Sequence, residues 1–363
     1  MNAHVHLVLA VDIYLVLDGS HIFFRVSQSR YFIFFCCDQP TQESMLHKKL
    51  KDPRIIDDAK KLINQLWQLP EHSKFLPCCN PTSLLRQDIP RLRQEPYFVG
   101  EKTDGVRVFL LMGFTDFSEE EYAICIDRTF SMYRVAVDVP PEYYNGTLLD
   151  GEYIASSNKY VVFDAVASRG YRFFMQPHTQ RVQEVVKIVE HLHFLHPLLP
   201  HVVVKPWFHF DQPDQWRHLN RKGNCDGLIF SPENYALKAG QHPFLFKWKT
   251  EHTVDFVLSA HQRDADRSHP HLFFTDRGVP VDAADHGFSL VDENDSLTQE
   301  ALRRIPCIVE CVVIIVGNTM ECRVVRLRTD KNTPNDLRTV RATVRNIQEA
   351  LTFDTLLRVA RNS

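Results

Sequence analysis

Between Tyr97 and Met112 the chain reads Tyr-Phe-Val-Gly-Glu-Lys-Thr-Asp-Gly-Val-Arg-Val-Phe-Leu-Leu-Met. Apolar β-formers stand on both sides of an Asp-Gly pair, which turns a chain. The pattern predicts a central hairpin, with Lys102 at the end of one strand and Arg107 near the start of the next, both pointing into one cleft. A lysine attacks an electrophile only as the neutral amine, and at its ordinary pKa of ~10.4 it is almost wholly protonated at pH 7. Neighbouring cations and partial burial lower that pKa. Arg107 is one such neighbour, and Lys247 and Lys249 are two more.

The chain has 363 residues, room for two domains of ordinary size. Its net charge of −3 provides no global polycation, so any nucleotide or RNA must be held by a local basic cleft. Nine cysteines include the adjacent pairs Cys36-Cys37 and Cys78-Cys79 but no Cys-x-x-Cys. That argues for reduced thiols in an intracellular compartment and against a zinc site. His191, His193, His196 and His201 fit no metal spacing and are read as structural or surface residues. Residues 1–40 carry apolar runs broken by Asp12, Asp18 and Arg25, with no basic segment ahead of them. This argues against a signal peptide or membrane span. Strands added to the core and a poorly ordered extension both fit, and no function is assigned to the segment.

Residues 53–69 show helical apolar spacing. In the Pro-rich loop that follows, six residues separate Cys79 from Arg86, where a cysteine phosphatase needs five. Strands are predicted at Tyr122–Asp127, Tyr133–Val137, Gly146–Ile154, Tyr160–Ala167, His201–Phe208, Gly227–Phe230 and Leu245–Lys249, with a helix over Thr179–Phe194. This is an α+β domain dominated by antiparallel sheet, over residues 41–250. From 251 to 363 the texture changes to five short strands, at Val254–Ala260, His271–Thr275, Gly287–Val291, Ile308–Val316 and Glu321–Leu327. They predict a small OB-type barrel, closed by a C-terminal helix over Asp336–Ala360.

Four patches accompany the central one: Leu148-Leu-Asp-Gly-Glu152, Tyr160-Val-Val-Phe-Asp-Ala-Val166, Cys225-Asp-Gly-Leu-Ile-Phe230 and Phe246-Lys-Trp-Lys-Thr250. In the last, a period of two puts Lys247 and Lys249 on one face. Each alone is consistent with a plain turn or a solvated edge strand. Together they supply a nucleophilic lysine, cations for phosphate oxygens, and carboxylates for ribose hydroxyls and a metal, which are the parts that phosphoryl-type transfer needs. Arg328-Thr-Asp-Lys-Asn-Thr-Pro-Asn335 adds a basic loop in the second domain, able to close over a polyphosphate.

These patches, in this order between about residues 75 and 355, resemble the mRNA capping guanylyltransferases, members of the covalent nucleotidyltransferase superfamily that includes DNA and RNA ligases. Lys-x-Asp-Gly-x-Arg and Asp-Gly-Glu are shared with ligases. Asp-Gly-Leu-Ile-Phe, Lys-Trp-Lys with Thr253-Val-Asp-Phe256, and Arg-x-Asp-Lys-x-x-Pro-Asn are similar to the capping forms. The resemblance implies that Lys102 forms a phosphoramidate with GMP from GTP, and that Thr103 lies in the GTP site. Arg107 and Glu152 would hold the ribose, Phe163 would stack on guanine, and Lys205 would contact its edge. Lys247 and Lys249 would bind the α-phosphate, with Asp226 nearby for Mg²⁺ or Mn²⁺. Asp255 would help organise the closed site, and Arg328 and Lys331 would grip the β- and γ-phosphates with Asp330 as structural companion. The acceptor implied is 5′-diphosphate RNA. Other proteins (an RNA triphosphatase, a cap methyltransferase, the RNA polymerase II tail) would share the pathway, in the nucleus and without a membrane. An ATP-dependent polynucleotide ligase and an inactive RNA- or polymerase-binding scaffold are the alternatives.

Overall fold

A computed structural model describes residues 14–18, 21–25, 49–71, 73, 76–196, 198–220, 225–260, 270–292, 294–329 and 331–362. Residues Met1–Ser44 form a unit of their own, in which Tyr14–Asp18 pairs antiparallel with His21–Arg25. The other apolar runs of that segment lie outside the described residues.

The unit Met45–Ser363 begins with the helix Pro53–Leu66, where Asp52 caps the first turn by accepting from the Arg54 amide and proline fills the first helical position. Two sheets follow. One has six strands, in the order His201–Val204, Lys159–Ala167, Thr147–Ile154, Val106–Phe114, Glu121–Asp127 and Met132–Val135. Its pairings are antiparallel except the first. Strand alternation sends Val108, Leu110 and Met112 to one face, against Val185 and Ile188 of the helix His178–Val189. Phe109 and Leu111 go to the other, against Ala59 and Ile63. Burial on both faces explains why Val108–Met112 is apolar without interruption. The helix ends at Val189 rather than Phe194, and His193–Phe194 instead pairs with Val137–Asp138.

The second sheet has five strands, in the order Phe208–His209, Tyr97–Thr103, Cys225–Pro232, Gly240–Lys249 and Cys79–Ser83. Here the expected central hairpin is corrected. Tyr97–Thr103 and Val106–Phe114 belong to different sheets and share no pairing, so Asp104-Gly105 is a crossing between sheets. The cause is local packing. A Cβ on Gly105 would lie 2.6 Å from the Tyr153 carbonyl oxygen and 2.8 Å from Glu152 Cγ. The bare glycine thus lets the chain press against Thr147–Ile154 instead of folding back on its own strand. The cleft between the sheets opens at this crossing.

The C-terminal domain is a six-stranded sheet ordered Val279–Asp282, Pro270–Asp276, Thr253–Ala260, Cys307–Val316, Thr319–Leu327 and Phe288–Leu290. The last pairing is parallel, and the helix Ser296–Leu302 precedes Cys307–Val316. All five predicted strands are present, and Val279–Asp282 joins them. The predicted tail helix is two helices, Leu337–Glu349 and Phe353–Arg361, separated at Ala350, whose φ of +45° breaks the ladder. The first packs on the C-terminal sheet through Leu337 and Val340. The second returns to the first domain, burying Leu356 and Val359 against Leu92, Tyr97 and Trp216.

Candidate active site

Lys102 sits one residue from the end of its strand, and the neighbouring strand is built to meet it. Cys225 pairs with Thr103 and Leu228 with Glu101, so the strand carries one extra residue at Asp226-Gly227. Such a bulge re-aims a side chain. Gly227 has φ +145°, and a Cβ there would fall 1.9 Å from the Trp248 carbonyl oxygen, so only glycine fits. The bulge delivers Asp226 to two lysines: its Oδ2 accepts from Lys102 Nζ at 2.5 Å and lies 2.8 Å from Lys249 Nζ. Burial opposes ionisation of Asp226, but hydrogen bonds and charge from both lysines outweigh it and hold the carboxyl below its usual range. Lys247 lies two residues before Lys249. Burial first, then the charges of Lys249, Lys102 and Arg128, push its ammonium below the usual lysine value.

A cavity of about 130 Å³ opens beside Lys102 and Thr103, lined also by Arg107, Glu152, Phe163 and Lys205. Phe163 reaches it through a second irregularity. Val162 pairs with Gly151 but Asp164 with Asp150, leaving Phe163 as the extra residue. Behind it, Asp164 is tied to the buried Arg181, Nε to Oδ1 at 2.7 Å. The Lys205 amide donates to Val162 O at 2.8 Å, extending the parallel ladder so that Lys205 runs beside Phe163. Its buried Nζ stands 5.1 Å from the Phe163 ring centroid and 5.7 Å from that of Trp207.

Arg107 and Glu152 are directly opposed across their strands, yet they bond elsewhere. Arg107 forms a buried bidentate pair with the diagonal neighbour Asp150, at 2.8 and 2.5 Å, and donates to the Cys79 carbonyl at 2.9 Å and Asn80 Oδ1 at 3.2 Å. Burial works against its charge, and Asp150 more than offsets that. Its guanidinium is therefore neutralised by Asp150, and the charged group in contact with Lys102 is the Asp226 carboxylate. Glu152 accepts from Thr103 Oγ1 and, at 3.2 Å, from the Gly105 amide, which ties the crossing to the cavity floor. Cys79 also lines the cavity, but burial pushes its thiol up to about 11, so it is no thiolate nucleophile at neutral pH.

The basic loop of the second domain is assembled separately. Asp255 is buried and accepts from Arg328 Nη1 at 3.1 Å and from Lys331 Nζ, while its backbone exchanges hydrogen bonds with Asn335. Arg328 also lies 3.4 Å from Glu310. Neither Arg328 nor Lys331 lines the Lys102 cavity. Asp330 lies outside the described residues.

Two family models match the chain: "mRNA capping enzyme, catalytic domain" over residues 41–251 and "mRNA capping enzyme, C-terminal domain" over 249–357. The chain belongs to the mRNA capping enzyme family. It is 29% identical over 245 residues to the mRNA-capping enzyme subunit alpha of Candida glabrata, covering 56% of this chain and 53% of that protein. It is 28% identical to the protein of the same name from Saccharomyces cerevisiae, over 56% of this chain and 52% of the relative. With the Schizosaccharomyces pombe protein of that name it shares 25% over 83% of this chain and 84% of the relative. The chain spans about half the length of the first two. The family assignment agrees with the fold: an α+β catalytic domain followed by a C-terminal domain.

Residue reasoning gave no role to several groups of this capping-family cleft. Asp150 was visible in Leu-Leu-Asp-Gly-Glu, but nothing in the spacing distinguished its part from that of Glu152. Asn80, Arg128, Trp207 and Ser231 come from loops or strand ends whose convergence only the tertiary fold decides.

No group of three or more His, Cys, Asp or Glu among the described residues could cage a metal. A divalent ion accompanying a nucleoside triphosphate takes most of its ligands from phosphate and water and needs only one or two carboxylates. Asp226, ionised and beside Lys102, fits that smaller requirement.

Proposed function

We propose that the chain is a guanylyltransferase that moves GMP from GTP to the 5′-diphosphate end of RNA through a phosphoramidate on Lys102. The observation that carries this reading is one juxtaposition: Lys102, held by Asp226, opens into the cavity where Phe163 and Lys205 stand together. Phe163 offers a face for a purine, and Lys205 a donor for its edge. In the first step, neutral Lys102 Nζ forms a bond to the α-phosphorus. The bond from that phosphorus to the bridging oxygen breaks, pyrophosphate leaves with the electron pair, and the attacking nitrogen gives up one proton. Lys247 and Lys249 hold the α-phosphate oxygens, with Asp226 as the carboxylate for Mg²⁺ or Mn²⁺, which when bound neutralises polyphosphate charge. In the second step, a terminal phosphate oxygen of diphosphate-ended RNA bonds to phosphorus, the N–P bond breaks, and Lys102 takes back a proton.

The relatives' name, subunit alpha, supports a partner subunit for this chain too. We infer that an RNA triphosphatase, a cap methyltransferase and the RNA polymerase II tail act beside it in the nucleus. The test is to incubate the protein with a divalent cation and GTP or ATP labelled at the α-phosphate. GTP should label the protein, and Lys102→Arg, which keeps the charge but is a poor nucleophile, should not be labelled. Labelling by ATP alone would make it a ligase, and no labelling by either a scaffold.

A further inference from the structure

We propose that Trp207 is a positioning residue for base selection: its ring and that of Phe163 fix the Lys205 ammonium at the edge of the base. The inference rests on the reading of Lys205 as the group that contacts guanine. Lys205 is almost wholly buried, and its Nζ lies over both rings, at 5.1 Å and 5.7 Å. Two π-faces attract an ammonium strongly when water is excluded. Lys205 and Trp207 stand two residues apart just past the strand His201–Val204, and their side chains meet in the cavity wall.

The indole is itself packed against Gly100 and His178. Gly100, two residues before Lys102, makes the room: a Cβ there would come within 2.8 Å of the six-membered ring. His178 packs edge-on to it, with centroids 4.7 Å apart and planes at 89°, and Phe98 backs His178 at 4.9 Å. Both ring nitrogens of His178 are buried without hydrogen-bond partners, and burial holds its protonation far below the usual range, so it serves as a neutral plate. The Trp207 Nε1 is likewise buried and unbonded. The indole therefore offers no hydrogen bond to a base. What it contributes to the cavity wall is its π-face, and the cation in reach of that face is Lys205.

The experiment compares Trp207→Leu and Trp207→Phe in the rate of covalent labelling by GTP and by ATP. Leucine fills space without a π-face, whereas phenylalanine keeps one. The GTP-to-ATP preference should fall by about tenfold or more in Trp207→Leu and by less than about threefold in Trp207→Phe. Equal preferences in the two variants, both folded by circular dichroism, overturn the proposal. Should Trp207→Leu fail to fold, replacing all tryptophans with increasingly fluorinated analogues weakens the ring quadrupole at nearly constant shape. The preference should then decline stepwise with fluorination, and a flat response overturns the proposal. The functional reading fails separately, if the unmodified protein forms no adduct or shows no preference for GTP.

Discussion

Lys102 and Lys249 meet at a single atom, Oδ2 of Asp226, from 2.5 Å and 2.8 Å. Two ammoniums sharing one carboxylate leave a net positive charge at the place where a triphosphate must arrive. The ion pair fixes the position of Lys102 at the wall of the cavity. On the proposed function, an incoming polyanion and its metal ion would compete for Lys249 and Asp226 and so release Lys102 from this ion pair.

Asp226→Asn should therefore lose adduct formation by at least ~100-fold, within the range of a positioned acid–base group, and it should also change how stability depends on pH. The carboxyl is depressed in the folded protein, so its contribution is present above its unfolded value of ~3.9 and lost as pH falls through the lower folded value. The gap in Tm between the unmodified protein and Asp226→Asn should be open at pH 7 and close in acid. A gap that stays constant down to pH 2.5 would contradict this role.

Lys247 has the opposite linkage. Its folded pKa is lowered, so between that value and ~10.4 the unfolded chain binds more protons, and stability rises with pH across that window. Below the window the charged, half-buried lysine is a net burden on stability. Lys247→Met should raise Tm at pH 7 while cutting adduct formation by more than ~10-fold, in the range of a lost charged contact. A variant that is both less stable and fully active would remove Lys247 from the phosphate site.

How much of this was legible beforehand depended on whether a feature was local. The apolar run in Val106–Phe114 and the apolar spacing of Pro53–Leu66 are local, and those elements appeared as expected. In the C-terminal domain the expected strands lie in one six-stranded sheet whose last pairing is parallel. The Asp104-Gly105 turn was misread because an Asp-Gly pair looks the same in a hairpin and in a sheet-to-sheet crossing. What decides is the contact of Gly105 with Tyr153, far along the chain. The break at Ala350 was invisible because alanine favours helix, and the pull of Leu356 and Val359 toward the first domain overrides that preference. At the site, spacing picked out charged residues but not their pairing: Arg107 turns to Asp150 on the diagonal rather than to Glu152 opposite.

The pair behind Phe163 can be tested for its structural weight. Arg181 and Asp164 are both buried, with bonds of 2.7 and 3.2 Å. Removing one partner strands the other charge, so Arg181→Leu should cost about 3–5 kcal/mol in urea unfolding. Arg181→Leu with Asp164→Leu should recover most of that loss, since no lone charge remains. A double variant as unstable as the single would mean that the arginine acts through packing, not charge.

On the proposed function, the basic loop would separate the two chemical steps. Asp255 pairs with both Arg328 and Lys331 in the present conformation, and neither lines the Lys102 cavity. Bringing them onto β- and γ-phosphates requires the nucleotide to compete with Asp255 and the domain to move toward the cleft. GTP offers those phosphates, and they leave as pyrophosphate. The loop can thus align the leaving group opposite Lys102 and stabilise it as charge develops. Once pyrophosphate had gone, lysyl-GMP would present no β- or γ-phosphate, so closure would lose its driving force and the adduct would be uncovered for RNA. Lys331→Ala should accordingly slow adduct formation by ~100-fold or more, the scale of a lost transition-state contact. Adduct accumulated at high GTP and freed of nucleotide should pass GMP to diphosphate-ended RNA at close to the normal single-turnover rate. If transfer falls as far as loading does, the loop serves both reactions, and the uncovering of lysyl-GMP by pyrophosphate release is wrong.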